Sequence, residues 1–160
     1  MPYDLILAGG HVIDPSQKLD GVMDVAFAGG RVARVGRDLP REGAEVRDVS
    51  GHIVTPGLID LHTHVYVHGT SLGIDAETFA RGSGVTTAVD TGSAGPGNFM
   101  GFRRHVIERS AVRILAYLHV SHAGIYGFSE RVMVGESEEM RLMNPIDAVA
   151  VADANRDSMR

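Results

Sequence analysis

Apolar and polar positions alternate with a period of two along several short stretches of this chain. The most informative is Thr55-Pro56-Gly57-Leu58-Ile59-Asp60-Leu61-His62-Thr63-His64. As a strand it carries Ile59, Leu61, Thr63 and Val65 on one face and Leu58, Asp60, His62 and His64 on the other. A polar face that ends in two imidazoles predicts contact with a metal ion or a catalytic cavity, because neutral imidazole is a common ligand of Zn2+ and similar ions. Two hydrogen-bonded histidines are the plain alternative.

Residues 1–55 read as a small β-rich domain. Tyr3 to Ala8 and His11 to Ile13 flank Gly9-Gly10, while Val25 to Ala28 and Arg31 to Val35 flank Gly29-Gly30. Both glycine pairs predict two-residue hairpin turns, where glycine supplies positive φ at little cost. Val46 to Val49 and His52 to Val54 add edge strands around Ser50-Gly51. From 56 to 160 the pattern changes to strand, helix, strand, helix, strand, helix. The strand at 58–64 leads into a helical run at 75–81, and Val85 to Asp90 forms the next strand. A helix from Asn98 to Ser110 follows, with Phe99, Phe102, Val106 and Ile107 as its buried stripe and Arg103, Arg104, Glu108 and Arg109 in water. Arg113 to Ser121 is the third strand. Residues 123–143 read as a long loop with one marginal helix, and Asn144-Pro145 opens a last helix to about Arg156.

Successive βα units predict a parallel sheet. At roughly 30 residues per unit, 56–160 holds about three of them, so the fold expected is α/β: the N-terminal part of a (β/α)8 barrel preceded by a small β-sandwich-type domain. His62, His64, Asp90 and His119 fall at or near strand C-termini, the end that carries active sites in such barrels.

Composition narrows the chemistry. Apolar content of 44%, charged content of 22% and a net charge of −5 fit a globular protein and point to neither nucleic acid nor an anionic membrane. There is no cysteine, which removes disulfides and thiolate metal sites, and only one lysine, Lys18. No apolar run approaches a membrane span and the N-terminus lacks a basic signal segment, so a cytoplasmic location is expected.

The run Val54-Thr55-Pro56-Gly57-Leu58-Ile59-Asp60-Leu61-His62-Thr63-His64 after a β-rich segment resembles the amidohydrolase superfamily of metal-dependent hydrolases. Tyr66, Gly69-Thr70, Gly84-Val85-Thr86-Thr87, Val89-Asp90 and Gly92-Ser93-Ala94-Gly95 are similar to its amidohydrolase/deacetylase branch, related to dihydroorotases and D-aminoacylases. The resemblance implies hydrolysis of an amide or ester (N-acyl or O-acyl) bond by a metal-activated water, with His62 and His64 ligating one of one or two Zn2+ ions. It also implies a carboxylated lysine, two further histidines and an aspartate from later strands, none of which has a counterpart in these 160 residues. Little hydrolase activity is therefore expected of this chain alone. An association partner is expected too, either a second copy or a complementing C-terminal segment, because a three-stranded arc leaves apolar faces and an edge at 114–120 uncovered. Ser158-Met159-Arg160 does not read as a further strand.

Other residues divide between roles. Asp60 either orients a histidine or satisfies backbone amides. Tyr66 occupies the place where dihydroorotases carry an arginine for the substrate carboxylate, which speaks against that activity. Asp90 shapes a pocket or caps the turn after its strand, and His119 faces the cavity or is a hydrogen-bonded structural histidine. His68 and His122 read as loop residues near the mouth. Gly92 to Gly97 resembles an anion-binding nest but lacks a P-loop lysine. The expected substrate is a small amide or ester; the alternatives are a cyclic-amide hydrolase of the dihydroorotase or hydantoinase kind and a non-catalytic truncated fragment.

Overall fold

The structure, a computed structural model, describes residues 2–125, 127, 131 and 137–160. The chain forms two compact units, Met1–Pro56 and Gly57–Arg160.

In the first unit β1 (Leu5–Asp14) pairs antiparallel with β2 (Leu19–Ala28), which pairs antiparallel with β3 (Arg31–Gly36). The opposite edge of β1 pairs in parallel with β4 (Glu45–Asp48) and then β5 (Ile53–Val54). Ile6, Ala8, Ala26 and Leu39 form its core. Gly29-Gly30 is the hairpin turn its sequence predicts, with both residues at positive φ. Gly9-Gly10 is not a turn. β1 runs straight through it, with a register break opposite Asp24 and Gly9 at φ +74°. Asp24 explains the bulge: its carboxylate accepts from Gly9 N–H at 2.9 Å and Leu39 N–H at 3.3 Å. A side chain at Gly10 would strike Val54 and Val49, so this glycine serves close packing. The first hairpin turns instead at Pro15–Lys18, where Asp14 accepts from Ser16 N–H (2.9 Å), the Ser16 hydroxyl (2.6 Å) and the Gln17 amide (2.6 Å).

The second unit is built on a parallel sheet, β6 (Leu58–Thr63), β7 (Val85–Thr91) and β8 (Arg113–Tyr117), in that order. Between β6 and β7 lies α1 (Ala76–Ser83); Asp75 caps it by accepting from Thr78 N–H at 2.7 Å, and Gly84 ends it at φ +74°. α2 (Phe99–His105) follows β7 and continues as a 3-10 turn over Ile107–Arg109. α3 (Pro145–Ala154) is capped by Asn144, which accepts from Asp147 N–H at 3.0 Å. Val65, Ala76, Ala88, Ala94, Phe99, Phe102, Ile114 and Ala116 form the core between sheet and helices. Of the span 123–143, residues 126, 128–130 and 132–136 lie outside the described residues, and Met140–Leu142 is a short 3-10 turn. Among the described residues no helix is long and apolar enough to cross a membrane.

The apolar face read for β6 stays uncovered at Ile59 (59% exposed) and Leu61 (71%), as expected of an incomplete arc, and is buried only at Thr63 and Val65. Three sequence expectations are corrected here. β8 stops at Tyr117 rather than Ser121, because His119 N–H turns to bond Ala94 C=O at 3.0 Å. The outer side of β8 is not bare. Met159 bridges Ala116 in parallel, Ala116 N–H reaching Ser158 C=O at 2.9 Å and Arg160 N–H reaching Ala116 C=O at 3.0 Å. Ser158–Arg160 thus adds a short parallel pairing that its composition did not announce. Finally, Arg103 does not simply face water: it donates to Glu108 at 2.8 Å, Asn155 at 2.7 Å and Asp157 at 2.8 and 3.0 Å, tying α2 to the C-terminal segment.

That tie carries a pH dependence. Hydrogen bonds from the Arg103 guanidinium hold the Asp157 carboxyl below the usual carboxylate range. A carboxylate whose folded pKa is depressed stabilises the fold above its unfolded pKa of about 3.9, and that contribution disappears as pH falls through the lower folded value. Protection of the Ala116 amide, its exchange slowing relative to an unstructured chain at the same pH, is expected to fall on acidification through this range in the wild type. In Asp157→Asn protection is expected to be lower already at neutral pH and to lose that acid dependence; an unchanged profile in Asp157→Asn would refute the assignment.

Candidate metal-ligating site

The site lies where β6 ends. Register with β7 breaks between Asp60 and Thr63, so the strict alternation of the strand is interrupted just before the histidines. Asp60 sits at this break, its carboxylate accepting from His62 N–H at 2.9 Å. This is the backbone-satisfying role, a local two-residue turn made by an aspartate side chain. His62, inside the break, and His64, beyond it, come together, ring centroids 5.7 Å apart and planes at 78°. His62 is exposed and His64 half-buried.

His64 is held from behind. Its Nδ1 lies 3.0 Å from the Ser93 hydroxyl on the loop after β7. Ser93 and Asp90 are both fully buried, with no exposed surface. The Asp90 carboxylate accepts from Val65 N–H at 2.8 Å through one oxygen and from Ser93 N–H at 2.8 Å through the other. Burial pushes the Asp90 carboxyl up. Opposing it are hydrogen bonding from Val65 N–H and from Ser93, and the nearby His64. Asp90 therefore links the residue after His64 to the residue that touches His64.

The loop that carries Ser93 is clamped. Asn98 stands at the N-cap position of α2, yet its side chain works elsewhere, accepting from Gly95 N–H at 2.9 Å and donating to Ala123 C=O at 2.9 Å. Gly97 N–H reaches His122 C=O at 2.8 Å. Ser93, Gly95 and Gly97 N–H are thus spent inside the protein, which corrects the anion-nest reading of this stretch. Gly124 packs so close that a β-carbon there would lie 2.3 Å from Ser93 C=O.

The remaining candidates fall elsewhere. Tyr66 stacks on Phe102 of α2, centroids 4.7 Å apart and planes at 26°, and belongs to the packing against the core. His119 lies across Gly92, and its Nδ1 accepts from Ser121 N–H at 2.8 Å, which leaves the proton on Nε2. Among the described residues no group of three or more His, Asp or Glu side chains is arranged to hold a metal ion. Sequence reasoning singled out His62, His64 and Asp90 but passed over Ser93 as a site residue. The signal was present in its spacing, a serine three residues after an aspartate at a strand end.

No family model matches the chain. It is 40% identical to a deacetylase of Agrobacterium fabrum over 104 residues, 64% of this chain and 26% of that protein. A crystal structure of a dihydroorotase superposes with a TM-score of 0.81 at 28% identity, covering 97% of this chain and 40% of the other. A D-aminoacylase described as having a binuclear metal centre superposes with a TM-score of 0.54 at 27% identity over 73% of this chain and 30% of its own. The chain spans about a quarter of the length of the deacetylase. By sequence and by fold, it matches the N-terminal portion of amidohydrolase-superfamily proteins.

Proposed function

We propose that this chain carries the first ligand pair of a metal-dependent amidohydrolase of the deacetylase type, acting on a small N-acyl or O-acyl compound. The observation that carries the reading is the imidazole pair at the end of β6, with one of its nitrogens already engaged by Ser93. Two imidazoles on one tetrahedral ion, each about 2 Å from it, have centroids about 5 Å apart. The observed 5.7 Å is within side-chain adjustment of that value. The donor set is two imidazole nitrogens, which suits Zn2+ and its first-row neighbours comparably. Such an ion would supply Lewis acidity, lowering the pKa of water and polarising a carbonyl. The chain's own part is to hold two imidazoles in place, through the Asp60 turn under His62 and the Ser93 contact to His64. On this reading residues 57–160 are about three βα units of a (β/α)8 barrel wall and the first unit is part of a small β-sandwich. The exposed Leu58, Ile59 and Leu61 of β6 would then be covered by further chain, from a second copy or a complementing segment.

A cyclic-amide hydrolase is the second reading, favoured by the likeness to the dihydroorotase structure. Against it, Tyr66 stands where that chemistry would place a cation for the substrate carboxylate, and its ring is engaged by Phe102.

Two imidazoles fall short of the roughly three protein ligands of a catalytic zinc site and come with no carboxylate base. The expected behaviour of the chain alone is weak Zn2+ binding by calorimetry, lost in His62→Ala and in His64→Ala. Turnover of N-acetyl amino acids or acetyl esters is expected to stay at background. Zn2+ binding that survives both substitutions would refute the ligand assignment; turnover well above background that depends on His62 would refute the expected inactivity.

A further inference from the structure

We propose that the first unit carries a binding cleft for a small zwitterion, an α-amino acid with an apolar side chain, beside the segment 37–41 that crosses its sheet. Binding there needs nothing from the histidine pair.

The topology builds the cleft. With strands in the order β3-β2-β1-β4, the connection from β3 to β4 has to cross the sheet from one edge to the other. It crosses on the face that carries Ile6, Ala8 and Ala26, and the residue it buries there is Leu39, at 5% exposure. Asp24 pins the crossing at that point, accepting from Leu39 N–H at 3.3 Å while its other oxygen takes Gly9 N–H at 2.9 Å. Asp38, at φ +53°, bends the chain just before this anchor, and Ala44 N–H closes a turn on Arg41 C=O at 3.2 Å after it. Alongside lies a cleft of about 510 Å3, a size typical of small-molecule sites. Ala8, Val22, Met23 and Val46 give it an apolar lining.

Charge of both signs lines the same cleft. Arg37 and Arg41 stand two residues to either side of Leu39, with Asp38 and Asp48 near them. Among the described residues, no hydrogen bond or ion pair reaches the Arg37 or Arg41 guanidinium or the Asp38 carboxylate. Asp48 accepts from Ser50 N–H at 2.8 Å through one oxygen, whereas buried Asp24 has both oxygens engaged. Two guanidiniums set among three carboxylates make a poor site for a lone anion, and a poor one for a lone cation. A ligand with both charges suits them. Its carboxylate meets the guanidinium forks, whose geometry matches it, and its ammonium meets Asp38 and Asp48. The apolar lining takes the side chain. In one respect this deepens the deacylation reading and rests on it: removing an N-acyl group creates a free ammonium, so the cleft would take product over acylated substrate.

The test is titration of the 15N-labelled 160-residue chain with three matched probes, followed at the Gly9 and Leu39 amides. L-Leucine carries both charges, N-acetyl-L-leucine only the carboxylate and L-leucinamide only the ammonium. Leucine is expected to saturate at about millimolar concentration, and the capped probes to bind roughly tenfold more weakly or less. Arg37→Gln, Arg41→Gln and Asp38→Asn are each expected to weaken leucine by about tenfold. All three positions are exposed, and asparagine tolerates the left-handed backbone at 38, so the fold is kept. Absence of saturable leucine binding overturns the proposal. So does a capped probe that binds as tightly as leucine, or leucine affinity unchanged when both arginines are replaced. No arm reads Zn2+ or turnover, so failure here leaves the metal-ligand reading standing, and failure of that reading leaves the cleft.

Discussion

Phe102→Ala is expected to lower the stability of the 57–160 unit by about 3–5 kcal/mol, the range for emptying a buried aromatic site. Phe102 has no exposed surface; its ring stacks on Tyr66 at 4.7 Å and meets the edge of Phe99 at 6.3 Å. No neighbour is placed to fill the gap without leaving another, because Phe99 is itself fully buried and Tyr66 is hemmed in by Gly69 and Gly101. Domains are stable by only about 5–15 kcal/mol in total, so the loss is a large share. Urea unfolding followed by circular dichroism measures it, and a cost under about 1 kcal/mol would contradict this account of the core. Tyr66 lies two residues beyond His64, so slack at Phe102 should also broaden the His64 ring resonances in the folded population.

Gly95→Ala is expected to be destabilising by about 3 kcal/mol, the upper end of overpacking costs, and to disturb the site as well. A β-carbon at Gly95 would lie 1.8 Å from Ser121 C=O and 2.7 Å from Gly124 N. Both obstacles are backbone, so no rotamer change relieves them; the loop after β7 must move away from residues 121–124. That motion pulls at Asn98, which bonds Gly95 and Ala123 together, and at Ser93 two residues back. The control is Gly82→Ala in α1. Nothing lies within 4 Å of the new atom there, and alanine in place of a helical glycine should stabilise by about 0.5–1 kcal/mol. Opposite signs for the two glycines, read from the same unfolding experiment, are the expected result. A neutral Gly95→Ala would mean that the two loops are not in the register described.

What these residues determine by themselves is whatever their near neighbours in sequence can satisfy. The Asp75 cap reaches Thr78, the Asn144 cap reaches Asp147, and Gly84 closes α1 on Ala80; each partner is three or four positions away, and each helix was legible. The order of strands and helices after residue 57 and the imidazole pair two positions apart were legible for the same reason. Elsewhere a distant partner decided. Gly9-Gly10 has the composition of a turn, yet Asp24, fifteen residues on, captures Gly9 N–H and makes a bulge in a continuous strand. Asn98 has the position of a cap, yet Gly95 and Ala123 take its side chain. Ser158–Arg160 looks like a tail, yet Ala116 offers both of its backbone groups. Ser93 meets His64 across twenty-nine positions. A hydrogen-bonding group buried by folding must be satisfied by whatever the packed chain brings to it, and which group arrives is set by the three-dimensional path, not by the local string of residues.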